Sequence, residues 1–112
     1  MAFNERLANR IREQFTFFPE TFTEKKMFGG ICFMYEGKMV IGIVKEDLMV
    51  RVISDKMEEN LAKDFVRPMD FTKKPMKEFI YVSSEGFETE HELLLWIELG
   101  LEHAKYKLGL NS

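Results

Sequence analysis

The chain has a single cysteine among its 112 residues, so it can form no internal disulfide. It has only three prolines, no internal repeat and no low-complexity tract. No segment is apolar for long enough to span a bilayer, and no basic start leads into an apolar run. The expected compartment is therefore the cytosol, with no membrane partner. A basic excess is lacking as well: 16 Lys and Arg stand against 19 Asp and Glu, for a net charge of −3. General nucleic-acid binding draws most of its affinity from a basic face, so any such role has to rest on a local patch. Walker-type and dinucleotide-type glycine spacings, a nucleophile elbow and a His/Cys/Asp/Glu metal cluster are all missing. His91 and His103 are not spaced as a metal pair on one helical face, and both are expected to face solvent. No cofactor is expected.

What is present specifies one globular domain spanning residues 1–112. The composition is 46% hydrophobic and 31% charged, and a chain of this size buries roughly two-thirds of its unfolded surface. Phe3, Leu7, Ile11, Phe15 and Phe18 form one helical stripe, which predicts an amphipathic helix over residues 4–17 with Asn4 as N-cap and Pro19 at its exit. Ile31–Tyr35, Lys38–Val44 and Leu48–Ile53 read as three strands of an antiparallel meander. Glu36-Gly37 forms a tight hairpin turn and Lys45–Asp47 a second polar break. Gly42 interrupts the second strand, where it is expected to admit a helix close to the sheet.

Ser54 is the expected cap of a second helix that buries Met57, Leu61 and Phe65. Met69–Phe71 and Met76–Val82 read as two further strands, Pro68 marking the first as an edge strand or as the start of a strand. Thr89 and Glu92 fit a capping box. It opens a last helix with Leu93, Trp96, Ile97, Leu101, Ala104 and Leu108 on its stripe and Gly109 at its close. The class is thus α+β in the order α-β-β-β-α-β-β-α, a two-layer antiparallel sheet with flanking helices. Cys32, Met34, Val40, Val44 and Met49 are expected on the face away from the helices. That face is too apolar to be left wet, so a homodimer or the last helix is expected to cover it.

The most distinctive stretch is Lys25-Lys26-Met27-Phe28-Gly29-Gly30, whose glycine pair runs into a strand rather than a helix N-terminus. A bulge or a tight crossing under a helix explains it better than an anion cradle. Lys25, Lys26, Lys73 and Lys74, with Arg51 and Arg67 and the aromatics Phe28, Phe71 and Tyr81, would make a modest patch for nucleic acid or an acidic partner if their turns met. Solvated loop lysines are the plainer reading. Cys32 reads as a small buried residue. An enzymatic reading has only Cys32 or Glu24, near the glycine pair, to offer.

In this pattern the chain resembles the TfoX/Sxy N-terminal domain family. The resemblance is carried by the basic residue before Met27-Phe28-Gly29-Gly30 and by Gly37-Lys38-Met39 at the hairpin. It continues through Asp47-Leu48-Met49-Val50-Arg51-Val52, Pro75-Met76 before the aromatic strand, and Leu95-Trp96 in the last helix. Met49 departs from it, standing where the family more often has an aromatic. The resemblance implies the same α+β fold, similar to secretion-chaperone-like folds, and a non-enzymatic interaction or regulatory accessory role with a protein partner. It implies no catalytic residues. A weak nucleic-acid-associated module using Lys25, Lys26, Arg51, Lys73 and Lys74 is the alternative.

Overall fold

A computed structural model describes residues 4–27, 29–70 and 75–110. Helix α1 (Glu5–Phe15) leads into four strands, β1 (Thr23–Met27), β2 (Gly30–Tyr35), β3 (Lys38–Val44) and β4 (Asp47–Arg51). Helix α2 (Ser54–Leu61) follows, then β5 (Val66–Asp70), β6 (Pro75–Val82), a short 3-10 turn and the long helix α3 (Glu90–Lys107). The six strands form one antiparallel sheet in the order β1-β2-β3-β4-β6-β5. The expected α+β class holds, and the meander gains a strand at its start. β1 escapes a sequence reading because it is an edge strand with four of its five residues exposed, so it has no apolar alternation to show.

Apolar residues of all three helices join one cluster with one sheet face, built on Phe33, Ile41, Ile43, Leu48, Val50, Ile80 and Val82. Helix α3 lies across β3 because Gly100 lets it. A Cβ there would sit 2.0 Å from the carbonyl oxygen of Val40. Gly100, not Gly42, is thus the glycine that admits a helix. Gly42 lies on the opposite face, where a Cβ would meet the Ile31 carbonyl oxygen and the methyl groups of Met49 and Met39. The N-cap of α1 is Asn4, and the capping box of Thr89 and Glu92 opens α3 with both reciprocal hydrogen bonds. The α2 cap is Ile53 rather than Ser54; the Ser54 hydroxyl is turned to Glu78 instead. α2 ends at Leu61, so Phe65 packs from the turn beyond it.

The second sheet face carries Cys32, Met49 and Phe79, all buried within this one chain, flanked by half-buried Met27, Met34, Met39, Val44 and Tyr81. The centre of that face is thus buried by the chain's own residues. Val40 is not among these residues. A bulge shifts the β2–β3 register between Phe33↔Ile41 and Met34↔Met39, so Val40 is the extra residue and joins the helix-side core.

Candidate functional site

Two ends of the sheet have to be distinguished. The Met27↔Gly30 pair closes the β1–β2 hairpin at one end, beside the β3–β4 turn. Gly29 has φ +75, the left-handed region that a tight turn demands and that glycine enters freely, and a Cβ on it would meet nothing within 4 Å. Gly30 is constrained in the opposite way. Its Cβ would sit 1.8 Å from the carbonyl oxygen of Ile43. One glycine provides a turn and the other a close backbone approach, made to strand β3 and not to a helix as expected. Phe28 lies outside the described residues.

The lysines of this stretch do not converge. Lys25 pairs with Cys32 and Lys26 with Ile31, so the two point to opposite faces of the edge strand. Glu24 is held by a two-pronged bond from the Arg12 guanidinium at 2.7 and 2.8 Å, which lowers its pKa. Lys73 and Lys74, like Phe71, lie outside the described residues; the strands they connect, β5 and β6, belong to the opposite edge of the sheet from β1. Arg67 is paired with Asp47 and lies over the Tyr81 ring. Cys32 is fully buried, and burial pushes its thiol up to about 11, which leaves it protonated at neutral pH.

Arg51 stands apart from all of these. It is the last residue of β4, four residues beyond the Gly30 row, or roughly 13 Å along the strands. There it meets residues from distant parts of the chain. Its guanidinium carbon lies 4.6 Å over the Phe79 ring, and its Nη2 is 3.3 Å from Nε2 of His103. His103 is buried, not solvent-facing: it continues the α3 stripe three residues beyond Gly100. Next to it is Glu78, at φ +62 inside an irregular stretch of β6, where the β5 pairing slips between Pro68↔Ile80 and Asp70↔Pro75. A non-glycine residue in that region costs about 1–3 kcal/mol, and bulges of this kind re-aim a side chain.

The Glu78 carboxylate gathers the cluster. It accepts from the Ser54 hydroxyl at 2.8 Å and from Lys107 at 3.1 Å, and lies 3.2 Å from Nε2 of His103. These contacts, the Ser54 bond first, hold its pKa down to about 2. Burial pushes His103 below its usual value, against the pull of Glu78. The Nδ1 of His103 is buried and has no hydrogen-bond partner among the described residues.

Chemically, this is not a nucleophile relay. Serine and histidine both face the carboxylate, so no base abstracts the serine proton, and a carboxylate with a pKa near 2 is itself a weak base. What the cluster does is fix cations. A concavity of about 260 Å³ opens beside it, lined by Gly37, Lys38, Met39, Arg51, His103 and Lys107. Among the described residues no group of three or more His, Cys, Asp or Glu side chains is placed to hold a metal ion.

Sequence reasoning singled out Arg51 and missed Glu78, His103 and Lys107. A signal for Glu78 existed. Strand alternation places it on the face of Ile80 and Val82, where a carboxylate needs partners. For His103 the signal was its place on the α3 stripe, seven residues after Trp96.

The architecture is that of a small α+β module: helices on one face of an antiparallel sheet, and a cation-lined cluster at one end. The chain matches the model of the TfoX N-terminal domain over residues 13–104, and it belongs to that family. The matched span takes in Lys25–Gly30, Arg51, Glu78 and His103. No curated protein matches the chain. No helix among the described residues is long and apolar enough to cross a membrane.

Proposed function

We propose that this chain is a non-enzymatic interaction module, a regulatory accessory that recognises an anionic feature of its partner through the Arg51 end of the sheet. One observation carries the reading. The Arg51 side chain is only 23% exposed, yet its one ion-pair partner among the described residues is Glu78 at 3.9 Å, too far for a hydrogen bond. A guanidinium has five donors in a rigid fork, and Arg51 lines a concavity whose lining also contains Lys38 and Lys107 and no acid. Partly buried cations of this kind suit recognition of an acidic group.

The test is affinity capture from a cell extract with the whole chain as bait, beside an Arg51→Gln bait, each with and without nuclease. A protein captured by the parent after nuclease, and lost on Arg51→Gln, supports the module. Nucleic acid captured in an Arg51-dependent way favours the alternative reading of a nucleic-acid-associated patch. A partner captured equally by both baits removes Arg51 from the recognition surface.

A further inference from the structure

We infer that the concavity beside Arg51 is a binding site for a terminal phosphoryl group, a phosphate monoester presented by the module's ligand. The inference rests on the reading of this end of the sheet as the recognition surface and supplies its chemistry.

The first argument is a proton count at His103. Its Nε2 lies within reach of both Arg51 (3.3 Å) and Glu78 (3.2 Å). In the neutral ring that nitrogen either accepts from Arg51 or donates to Glu78; it cannot do both. If it donates to the carboxylate, Arg51 loses its acceptor. If it accepts from Arg51, a lone pair faces the carboxylate. The conflict is relieved when another acceptor takes over the Arg51 donors, and the adjoining concavity is where one fits.

The second argument is charge. Lys38, Arg51 and Lys107 bring three positive charges, and Glu78, behind them, returns one negative. The remainder of two matches a phosphate monoester, which carries about −1.5 to −2 at neutral pH, better than a monocarboxylate or a phosphodiester. Lys38 is exposed and has no ion-pair partner among the described residues. The third argument is size and shape. About 260 Å³ falls below the roughly 300–1,000 Å³ of a pocket that swallows a whole drug-sized ligand, so the site suits one group, not an entire cofactor. Gly37, with φ +81, lines the concavity without a side chain to fill it.

The experiment is a titration of the full chain followed by amide and imidazole NMR, with inorganic phosphate, acetate and dimethyl phosphate as separate probes. Inorganic phosphate is expected to give saturable shifts confined to Gly37, Lys38, Arg51 and His103. Arg51→Gln should weaken that binding roughly ten- to hundredfold, the worth of one charge-assisted hydrogen bond. Lys38→Gln, which alters only an exposed side chain, should weaken it less and guards against a folding defect in the first variant. Acetate or dimethyl phosphate binding as tightly as phosphate would overturn the monoester assignment. Shifts scattered over surface lysines, or unchanged in both variants, would overturn the site. A protein partner captured through Arg51 with no phosphate effect sinks this inference alone. Site-specific phosphate binding with no Arg51-dependent partner supports it and counts against the module reading.

Discussion

The two ends of the sheet differ in how they declare themselves. The Gly29-Gly30 end is conspicuous in the sequence, yet its structure is fully accounted for by backbone geometry: a left-handed turn residue followed by a strand contact too close for any side chain. The Arg51 end is inconspicuous in the sequence, yet it gathers Arg51, Ser54, Glu78, His103 and Lys107 into contact across more than fifty residues of chain. A short, unusual run of residues marks what the backbone must do locally. Chemistry that assembles from four separate elements leaves no local run to notice.

The comparison breaks most visibly at the glycines. Gly30→Ala drives a Cβ into the Ile43 carbonyl, and strand separation would have to increase to admit it. The expected loss is on the order of 3 kcal/mol. Gly29→Ala meets no atoms and incurs only the left-handed backbone, about 1–2 kcal/mol. Chemical denaturation of both variants checks the order. Equal losses would mean that turn strain, not strand contact, governs this end.

At the other end, Glu78→Gln should cost about 1–3 kcal/mol, since Lys107 and the Ser54 hydroxyl lose an ionised acceptor. It should also change the acid limb of stability. A carboxylate with a folded pKa lowered from 4.5 to about 2 stabilises fully above 4.5 and loses that contribution as the pH falls toward 2. His103 adds a separate step with the same sign. Its folded pKa is depressed, so the unfolded chain takes the proton first, and stability starts to fall as the pH drops below about 6.5. Midpoints measured from pH 7 to 2 should therefore fall in two stages; Glu78→Gln should remove the lower one and, by taking away the pull of Glu78 on His103, enlarge the upper one. A parent-like lower limb in that variant would show that other carboxylates dominate it.

The smallest effect expected is at a site that neither end touches. Thr89→Ala removes the side-chain half of the α3 capping box, the hydroxyl that accepts from the Glu92 backbone N–H, and should cost about 1 kcal/mol, read by thermal or chemical unfolding. It sets the scale for a purely local loss.

Much of the fold was legible. The α3 stripe, the Glu36-Gly37 hairpin and the capping box are local signals, and each appears as read, whereas Phe18 and Phe65 pack from beyond the ends of their helices and Phe3 lies outside the described residues. What was not legible depends on contacts between distant segments. β1 is polar because it lies at an edge. Val40 changed faces because of a bulge that no alternation pattern shows. His103 seemed an ordinary polar residue on a helix until α3 was laid against the end of β4. Of the candidate site, Arg51 was found and its surroundings were not, because Glu78 and His103 acquire meaning only from each other.

The most direct test of the contrast between the two ends sets Arg51→Gln beside Gly29→Ala in one experiment, reading thermal stability and partner capture for each. The account predicts that Arg51→Gln loses the captured partner with a melting temperature close to the parent's. Gly29→Ala should melt lower and keep the partner. A Gly29→Ala chain that stays folded yet loses its partner, while Arg51→Gln keeps it, would contradict the account and move recognition to the glycine hairpin.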